Sequence, residues 1–139
     1  MWPFGPSGKS LGQRGEALAA RMLKRKGMKI LARNYRCNAG EIDIIALDRG
    51  SRSDSGRETI VFAEVKTRSD DAYNTPESAV DARKRRRIRK AARYYLSHYP
   101  TRQYAVRYDI VAIVAPDGAK PQIKHITAAF SSNPDPEAL

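Results

Sequence analysis

The segments GEIDIIA at residues 40–46 and FAEVKTR at residues 62–68 each place a carboxylate inside a predicted strand of apolar side chains. Strand side chains alternate between two faces, so Glu64 and Lys66 share one face of the later strand. Asp43 is unusual in a strand, because aspartate has low strand propensity and a buried carboxylate needs a cation or a donor. If the two strands pair, Asp43 approaches Glu64. We therefore expect Asp43, Glu64 and Lys66 to meet in one site where a divalent cation can bridge the acids.

A simpler interpretation is an ion pair on the sheet surface, between Lys66 and either Glu64 or Asp43. Such pairs are common and contribute little to stability when they are exposed. We favour a functional site, because the flanking runs of Ile, Val and Phe imply that at least one face of these strands is buried.

Outward from these strands, the hydrophobic periodicity predicts a helix on either side and two more strands. The first helix spans residues 10–26, with Ser10 as N-cap and Gly27 as terminator, and a second helix is capped by Asp81 and stopped by Pro100. Strands are predicted at residues 29–35, 41–47, 59–67, 106–114 and 122–127, and loops at 48–58 and 70–76. The order α-β-β-β-α-β-β predicts one α/β domain over residues 10–130, a mixed central sheet flanked by helices. Residues 1–9 and 131–139 are expected to be flexible termini.

Positive charge is concentrated in RKRRRIRKAAR at residues 83–93, which holds eight basic residues and no acid. Of the net charge of +11, these eight leave only +3 on the rest of the chain. Like charges at helical spacing destabilise an isolated helix, so we expect this segment to face an external polyanion. The alternative is a solvated helix face that aids solubility. The expected nucleic-acid contacts are Lys84, Arg85, Arg86, Arg89 and Arg93.

Length and composition restrict the class of protein. A chain of 139 residues, 41% of them hydrophobic, can close one core without disulfides. No apolar run approaches the ~20 residues that cross a bilayer, and the first ten residues lack the apolar stretch of a signal peptide. Cys37 is the only cysteine and has no internal partner. These features predict a cytoplasmic protein with no membrane partner.

A resemblance to a known family rests on ordered blocks and on the basic helix that carries Lys84. The blocks are GQRGEALAARML at 12–23, NYRCNAGEIDIIA at 34–46, FAEVKTR at 62–68 and RYDIVAI at 107–113. Together they resemble the bacterial YraN family of endonuclease-like proteins, which is similar to archaeal Holliday junction resolvases. Asp43, Glu64 and Lys66 match the D…(D/E)-x-K signature of restriction-endonuclease-like nucleases. The 48–58 loop is longer than is typical of the family, and Ala63 stands where the family often has Val.

That resemblance covers residues 12–130 and implies the restriction-endonuclease-like fold and DNA as substrate class. Mg²⁺ or Mn²⁺ is then the expected cofactor, since these ions prefer oxygen ligands and offset charge on a phosphate. Asp43 and Glu64 are its expected ligands, with the Val65 carbonyl as a third. Lys66 could orient the attacking water, stabilise charge or accept a proton, and the sequence does not choose between these roles.

The predicted function is therefore a Mg²⁺-dependent endonuclease acting on DNA, with branched or structured DNA as a candidate substrate. The resemblance implies Glu16, on the first helix, as a further site member that could hold a second metal or its water; Glu41 is the weaker candidate for that place. The alternative is a catalytically silent nucleic-acid-binding module on the same fold. Small-molecule hydrolysis fits the charge distribution poorly. The sequence does not determine whether the protein forms a homodimer, or whether it acts on DNA or on RNA.

Other chemistry-bearing residues receive structural interpretations. Asp109 interrupts an apolar strand and is expected to pair with Arg107 or with a basic residue of the helix. Tyr94, Tyr95 and Tyr99 could stack nucleic-acid bases, but helical spacing favours core packing for Tyr95 and Tyr99. No metal or triad motif surrounds His98, His125 or Cys37.

Overall fold

The computed structural model describes residues 10–50, 57–70, 80–99 and 103–135, which contain two helices and five strands. Helix α1 spans Leu11–Arg25 and helix α2 spans Ala82–Leu96; the strands are β1 Met28–Cys37, β2 Gly40–Asp48, β3 Glu58–Arg68, β4 Tyr104–Val114 and β5 Gln122–Phe130. The predicted order α-β-β-β-α-β-β is confirmed. The predicted termini at 1–9 and 136–139, the loop positions 51–56 and 71–76, and Pro100 lie outside the described residues.

The five strands form one mixed sheet in the order β1-β2-β3-β4-β5. Strands β3 and β4 run parallel, whereas the other neighbouring pairs are antiparallel. A parallel pair needs a crossover connection, and α2 lies in the segment that joins β3 to β4. The predicted mixed sheet flanked by helices is thus confirmed.

One helix covers each face of the sheet. In β3, Val61 and Ala63 pack in the core beneath α1, whereas Ile60 and Phe62 pack in the core beneath α2. The alternation predicted for this strand is therefore confirmed, and it places Glu64 on the α2 side. No helix in the described ranges is long and apolar enough to span a membrane.

The first turn of each helix is fixed by the predicted N-cap. The Ser10 hydroxyl accepts a hydrogen bond from the Gln13 amide, and the Gln13 side chain accepts one from the Ser10 amide, which completes a capping box. The Asp81 carboxylate accepts from the Lys84 amide at 2.9 Å. These caps satisfy amides that have no partner within the helix.

Helix α2 ends at Leu96 and not at Pro100 as predicted. The Ser97 hydroxyl donates to the Tyr94 carbonyl at 2.6 Å and satisfies one of the terminal acceptors. Because the helix stops early, Tyr99 no longer continues its apolar stripe. Tyr95 is buried, as predicted, but Tyr99 is 54% exposed, so the core position predicted for Tyr99 is wrong.

The outer strands extend further than their local alternation suggests. Cys37 pairs with Gly40 at the end of the β1–β2 hairpin, and Phe130 pairs with Tyr108 beyond an irregularity between β4 and β5. The neighbouring strands supply these pairings, which the pattern within one segment does not contain.

Asp109 of β4 is fully buried and is held on several sides. Arg107 donates to it from Nε at 2.8 Å and from Nη2 at 2.9 Å, the Ala128 amide donates at 3.0 Å, and His125 Nε2 lies 2.8 Å from Oδ2. Burial alone raises the pKa of Asp109, but the hydrogen bonds of His125 and Arg107 hold it below its usual value. The predicted pairing with Arg107 is confirmed, and it ties β5 to β4.

Candidate carboxylate site and basic groove

Strands β2 and β3 separate where the predicted acids lie. Their paired register ends at Ile44 and Ala63. Beyond it, the Val65 amide donates to Asp43 Oδ2 at 2.8 Å. A side-chain carboxylate therefore takes the place of the next backbone acceptor, which accounts for an aspartate in the middle of an apolar strand.

Regular alternation in β2 also breaks at this point. Ile42 packs with Ile45 in the core on the α2 side. Strict alternation along this strand predicts that Ile42 shares the opposite face with Ile44 and Ala46, and for Ile42 this is wrong. Across from Asp43 in the β1–β2 register lies Asn34, which adopts the left-handed conformation with φ of 52°. Asparagine accepts that conformation more readily than most residues do.

Asp43 and Glu64 form a buried carboxyl pair. The two carboxyls interact directly, since each changes the pKa of the other, and the residues are only 7% and 5% exposed. Burial, followed by the charge of Asp43, raises the pKa of Glu64 to about 7. Burial also raises the pKa of Asp43, although the Val65 amide partly offsets it. The pair therefore retains a proton close to neutral pH, which a bound cation would displace.

Lys84 of α2 is the ion-pair partner of Glu64, with Nζ in contact with Oε1. Burial alone lowers the pKa of Lys84, but the hydrogen bond and charge of Glu64 raise it overall. We predicted a phosphate contact for Lys84, and the structure places it at the carboxyl pair. Sequence spacing does not reveal this contact, because it joins a strand to a helix across a loop.

Glu16 approaches the same pair from α1. Burial and the charge of Asp43 raise its pKa, whereas Arg33 and a hydrogen bond to Asn34 lower it. Asp43 therefore interacts electrostatically with one residue of each helix, Glu16 of α1 and Lys84 of α2. Glu41 is exposed and forms a 3.2 Å ion pair with Arg36.

Val65 and Lys66 follow Glu64 in β3. Lys66 lies on the face of Glu64 by alternation and is partly buried, but in the described chain the ion pair to Glu64 is made by Lys84. The Val65 amide points to Asp43. Because the N–H and C=O of one strand residue point to the same neighbour, the Val65 carbonyl faces that side too.

A groove of about 720 Å³ opens beside the pair, between the β1–β2 hairpin and the start of α2. Its lining residues are Arg36, Cys37, Gly40, Glu41, Asp81, Arg83, Lys84, Arg87 and Ile88. The two walls approach closely at Gly40, where an added Cβ would lie 3.2 Å from the Arg87 carbonyl oxygen. Cations outnumber acids in this lining, so the groove suits an anionic ligand.

The basic helix divides its cations between two sides. Arg89 is buried, and its Nε donates to the Ser131 carbonyl at 2.8 Å. Arg85 donates to Asp135 at 2.9 Å, and Arg89 reaches the same carboxylate at 3.3 Å. Two of the predicted phosphate contacts therefore hold residues 131–135 against α2. The exposed cations of the helix are Arg83, Arg86, Arg87, Lys90 and Arg93.

The residues of this site are compatible with a hard cation but do not enclose one. In the described ranges, no group of three or more His, Cys, Asp or Glu side chains is placed to hold a metal ion. The donors available are the Asp43 and Glu64 carboxylates and the Val65 carbonyl, with Glu16 close to Asp43. Mg²⁺ prefers such oxygen donors and keeps several waters, so it does not need a full protein cage.

Fold and site together define the class: a mixed α/β protein whose sheet opens around a buried carboxyl pair beside a basic groove. The profile of Uncharacterised protein family UPF0102 matches residues 15–113. A UPF0102 protein of Geotalea daltonii is 48% identical over 122 residues, or 88% of this chain and 90% of the relative. The UPF0102 protein of Pelobacter propionicus is 42% identical over 125 residues, or 90% and 85%. That of Nocardia farcinica is 41% identical over 121 residues, or 87% and 89%. This chain belongs to UPF0102, the YraN family, which confirms the resemblance drawn from its sequence.

Proposed function

We propose that the protein is a metal-dependent endonuclease that acts on DNA. The observation that carries the proposal is the buried Asp43–Glu64 pair, which lies at the gap between β2 and β3 beside a groove lined by cations. Burying two acids in contact destabilises the folded protein when both are ionised. A site that accepts this cost is more readily explained by function than by stability.

A divalent cation fits this pair for an electrostatic reason. Lys84 supplies one positive charge to two acids whose pKa values are both raised. A cation held by Asp43 and Glu64, with the Val65 carbonyl, would allow both acids to ionise. When bound, it would supply charge stabilisation at a phosphodiester and a lowered pKa for its water.

The protein's own residues hold and orient the remaining parts of the reaction. The Val65 amide fixes the direction of the Asp43 carboxylate. Lys84 brings its ammonium group to the carboxyl pair, and Lys66 lies on the face of Glu64 by strand alternation. Either lysine would stabilise charge on the phosphate. Arg83 and Arg87 in the groove would hold the neighbouring phosphates.

A catalytically silent nucleic-acid-binding module is the second candidate. The ion pair between Lys84 and Glu64 favours it, because an ammonium group already occupies one carboxylate. In this case the pair would not bind a divalent cation at millimolar concentration. The basic groove would still bind nucleic acid.

Calorimetric titration with Mn²⁺ at pH 7, in two buffers of different ionisation enthalpy, separates the candidates. We expect wild-type protein to bind Mn²⁺ and to release up to about one proton per ion, because the raised pKa of Glu64 leaves it partly protonated. Asp43→Asn and Glu64→Gln should each abolish Mn²⁺ binding, and Glu41→Gln, an exposed neighbour, should not.

Cleavage of labelled duplex, single-stranded and four-way-junction DNA with Mg²⁺ completes the test. Asp43→Asn and Glu64→Gln should lower the rate by at least about 100-fold, a loss typical of removing one charge-stabilising group. Lys66→Met and Lys84→Met, compared under the same conditions, show which lysine the reaction uses. Wild-type protein that neither binds Mn²⁺ nor cleaves any of these substrates would leave the silent module as the function.

A further inference from the structure

Two exposed rings lie at the carboxyl end of α2, one in its last turn and one just beyond it. Tyr94 and Tyr99 are 51% and 54% exposed. The described ranges contain four exposed large apolar side chains, and the other two, Leu31 and Ile123, are 38% and 39% exposed. Leu31 and Ile123 lie on β1 and β5, whereas both tyrosines lie at the carboxyl end of α2.

Rings beneath the two tyrosines hold them in place. Tyr99 lies on Tyr95, with ring centroids 4.7 Å apart, and Tyr95 is buried against Phe62 at 5.9 Å. Tyr94 lies on His98 at 4.8 Å, and His98 Nδ1 is 2.8 Å from the Tyr94 carbonyl oxygen. Each tyrosine therefore contacts one other ring and remains about half exposed. A ring in this state loses little further freedom when a flat ligand stacks on it.

Tyr94 lies on the side of α2 that borders the groove. Tyr94 is seven residues after Arg87, so it lies two turns further on the same side of α2, about 10 Å along the axis. Arg87 lines the groove, and the exposed Lys90 and Arg93 lie between the groove and the rings or beside them. A strand held by its phosphates in the groove would reach the tyrosines within a few nucleotides.

The surrounding charge selects the ligand. A protein partner with an apolar face would have to cover the cations that flank the rings. A nucleic-acid strand matches both the cations and the rings, because its phosphates pair with the cations and its bases stack on the rings. Bases inside a duplex are already stacked on one another, so only unpaired bases can use this surface.

We propose that Tyr94 and Tyr99 form a stacking platform for unpaired bases, and that the preferred substrate has a single-stranded segment that runs from the groove along α2. The proposal rests on the proposed action on DNA for its substrate class. Its test needs no cleavage and is carried out in EDTA.

Fluorescence anisotropy measures the affinity of a labelled 15-nucleotide oligo-dT and of a blunt duplex of equal length. The double variant Tyr94→Ala/Tyr99→Ala should weaken oligo-dT binding by about tenfold or more, since one base–ring stack alone accounts for that factor. Duplex affinity should change less than twofold. Tyr94→Phe/Tyr99→Phe keeps the rings and should bind as wild type does. Leu31→Ala/Ile123→Ala is the control, because it removes the other exposed large apolar side chains of the described ranges, on β1 and β5.

Ultraviolet crosslinking of wild-type protein to 5-iodouracil oligo-dT gives a readout that does not depend on a variant's folding. Mass spectrometry should place the adducts on Tyr94 and Tyr99. The platform is overturned by adducts confined to other residues, by an equal loss for duplex and single strand, or by unchanged oligo-dT affinity. If the tyrosine variants lose oligo-dT affinity as expected but wild-type protein cleaves none of the DNA substrates, the platform stands and the nuclease proposal fails.

Discussion

The Asp43–Glu64 pair links the stability of the fold to pH. Glu64 has a pKa of about 7 in the folded protein, compared with about 4.5 for an ordinary glutamate. Between these values the folded state binds a proton that the unfolded state has lost. The stabilisation from that proton is complete below about pH 4.5 and is lost as the pH rises through 7. Asp43 acts in the same direction, because its pKa is also raised.

Glu64→Gln should therefore flatten the dependence of stability on pH. A neutral amide has no charge to bury, so the variant should be more stable than wild type at pH 8, by up to about 3 kcal/mol at ~1.4 kcal/mol per pKa unit. The difference should shrink towards pH 5. Urea unfolding at pH 5, 6, 7 and 8 measures it, and Glu41→Gln, at an exposed position, provides the control. A constant difference across this range would mean that Glu64 titrates normally in the folded protein.

At the scale of elements, the approach of α1 to β3 depends on one missing side chain. A Cβ added at Gly15 would lie 1.8 Å from Thr67 Oγ1 and 2.9 Å from Thr67 Cβ. Glycine weakens a helix interior by about 1 kcal/mol relative to alanine, so close packing outweighs helix propensity here. Glu16 is the next residue, and this contact therefore also sets its position beside Asp43.

Gly15→Ala should destabilise the protein by about 1–3 kcal/mol, the usual cost of overpacking, although alanine is the better helix former. Gly12→Ala in the same helix is the control, because its Cβ would meet only Ser10 Oγ at 3.9 Å. That variant should be neutral or stabilised by up to about 1 kcal/mol. Urea unfolding compares the two, and Gly15→Ala/Thr67→Ala should recover part of the loss. Equal effects of the two alanines would show that α1 does not pack closely on β3.

At the scale of the whole molecule, the carboxyl-terminal residues determine which cations of α2 are available to nucleic acid. Arg85 and Arg89 bind Asp135, and Arg89 is buried. Burial alone raises the pKa of Asp135, but the hydrogen bonds and charges of Arg85 and Arg89 hold it below its usual value. The basic run thus has a structural part, Arg85 and Arg89, and an exposed part of five cations.

Two double variants with the same loss of charge separate these parts. Arg86→Gln/Arg93→Gln should flatten the plot of log affinity for duplex DNA against log salt by about 1.8, at ~0.9 per phosphate contact. Arg85→Gln/Arg89→Gln should leave that slope close to wild type and instead lower the stability by about 1–3 kcal/mol, since it removes the donors of several partly buried hydrogen bonds. Anisotropy over a salt series and urea unfolding measure the two effects. Identical slopes for the two variants would mean that only net charge matters.

Much of the fold follows from local sequence. Ser10 and Asp81 mark the helix starts because their side chains cap amides within the same turn. The two faces of β3 follow from its alternation of side chains. The approach of Asp43 to Glu64 was expected from the pairing of their two strands, and the register that brings the acids together is set in the folded sheet. The predicted cytoplasmic location, the homodimer and the boundaries of the domain stay predictions.

The sequence alone determined the order of elements and the concentration of charge, because each depends on residues close together in the chain. Only the tertiary structure decided that Lys84 and not Lys66 pairs with Glu64, that Arg89 is buried against residues 131–135, and that Tyr99 is exposed. Each of these depends on where α2 ends and how it lies on the sheet. Such contacts join residues from distant segments, and no local pattern encodes the distances between them.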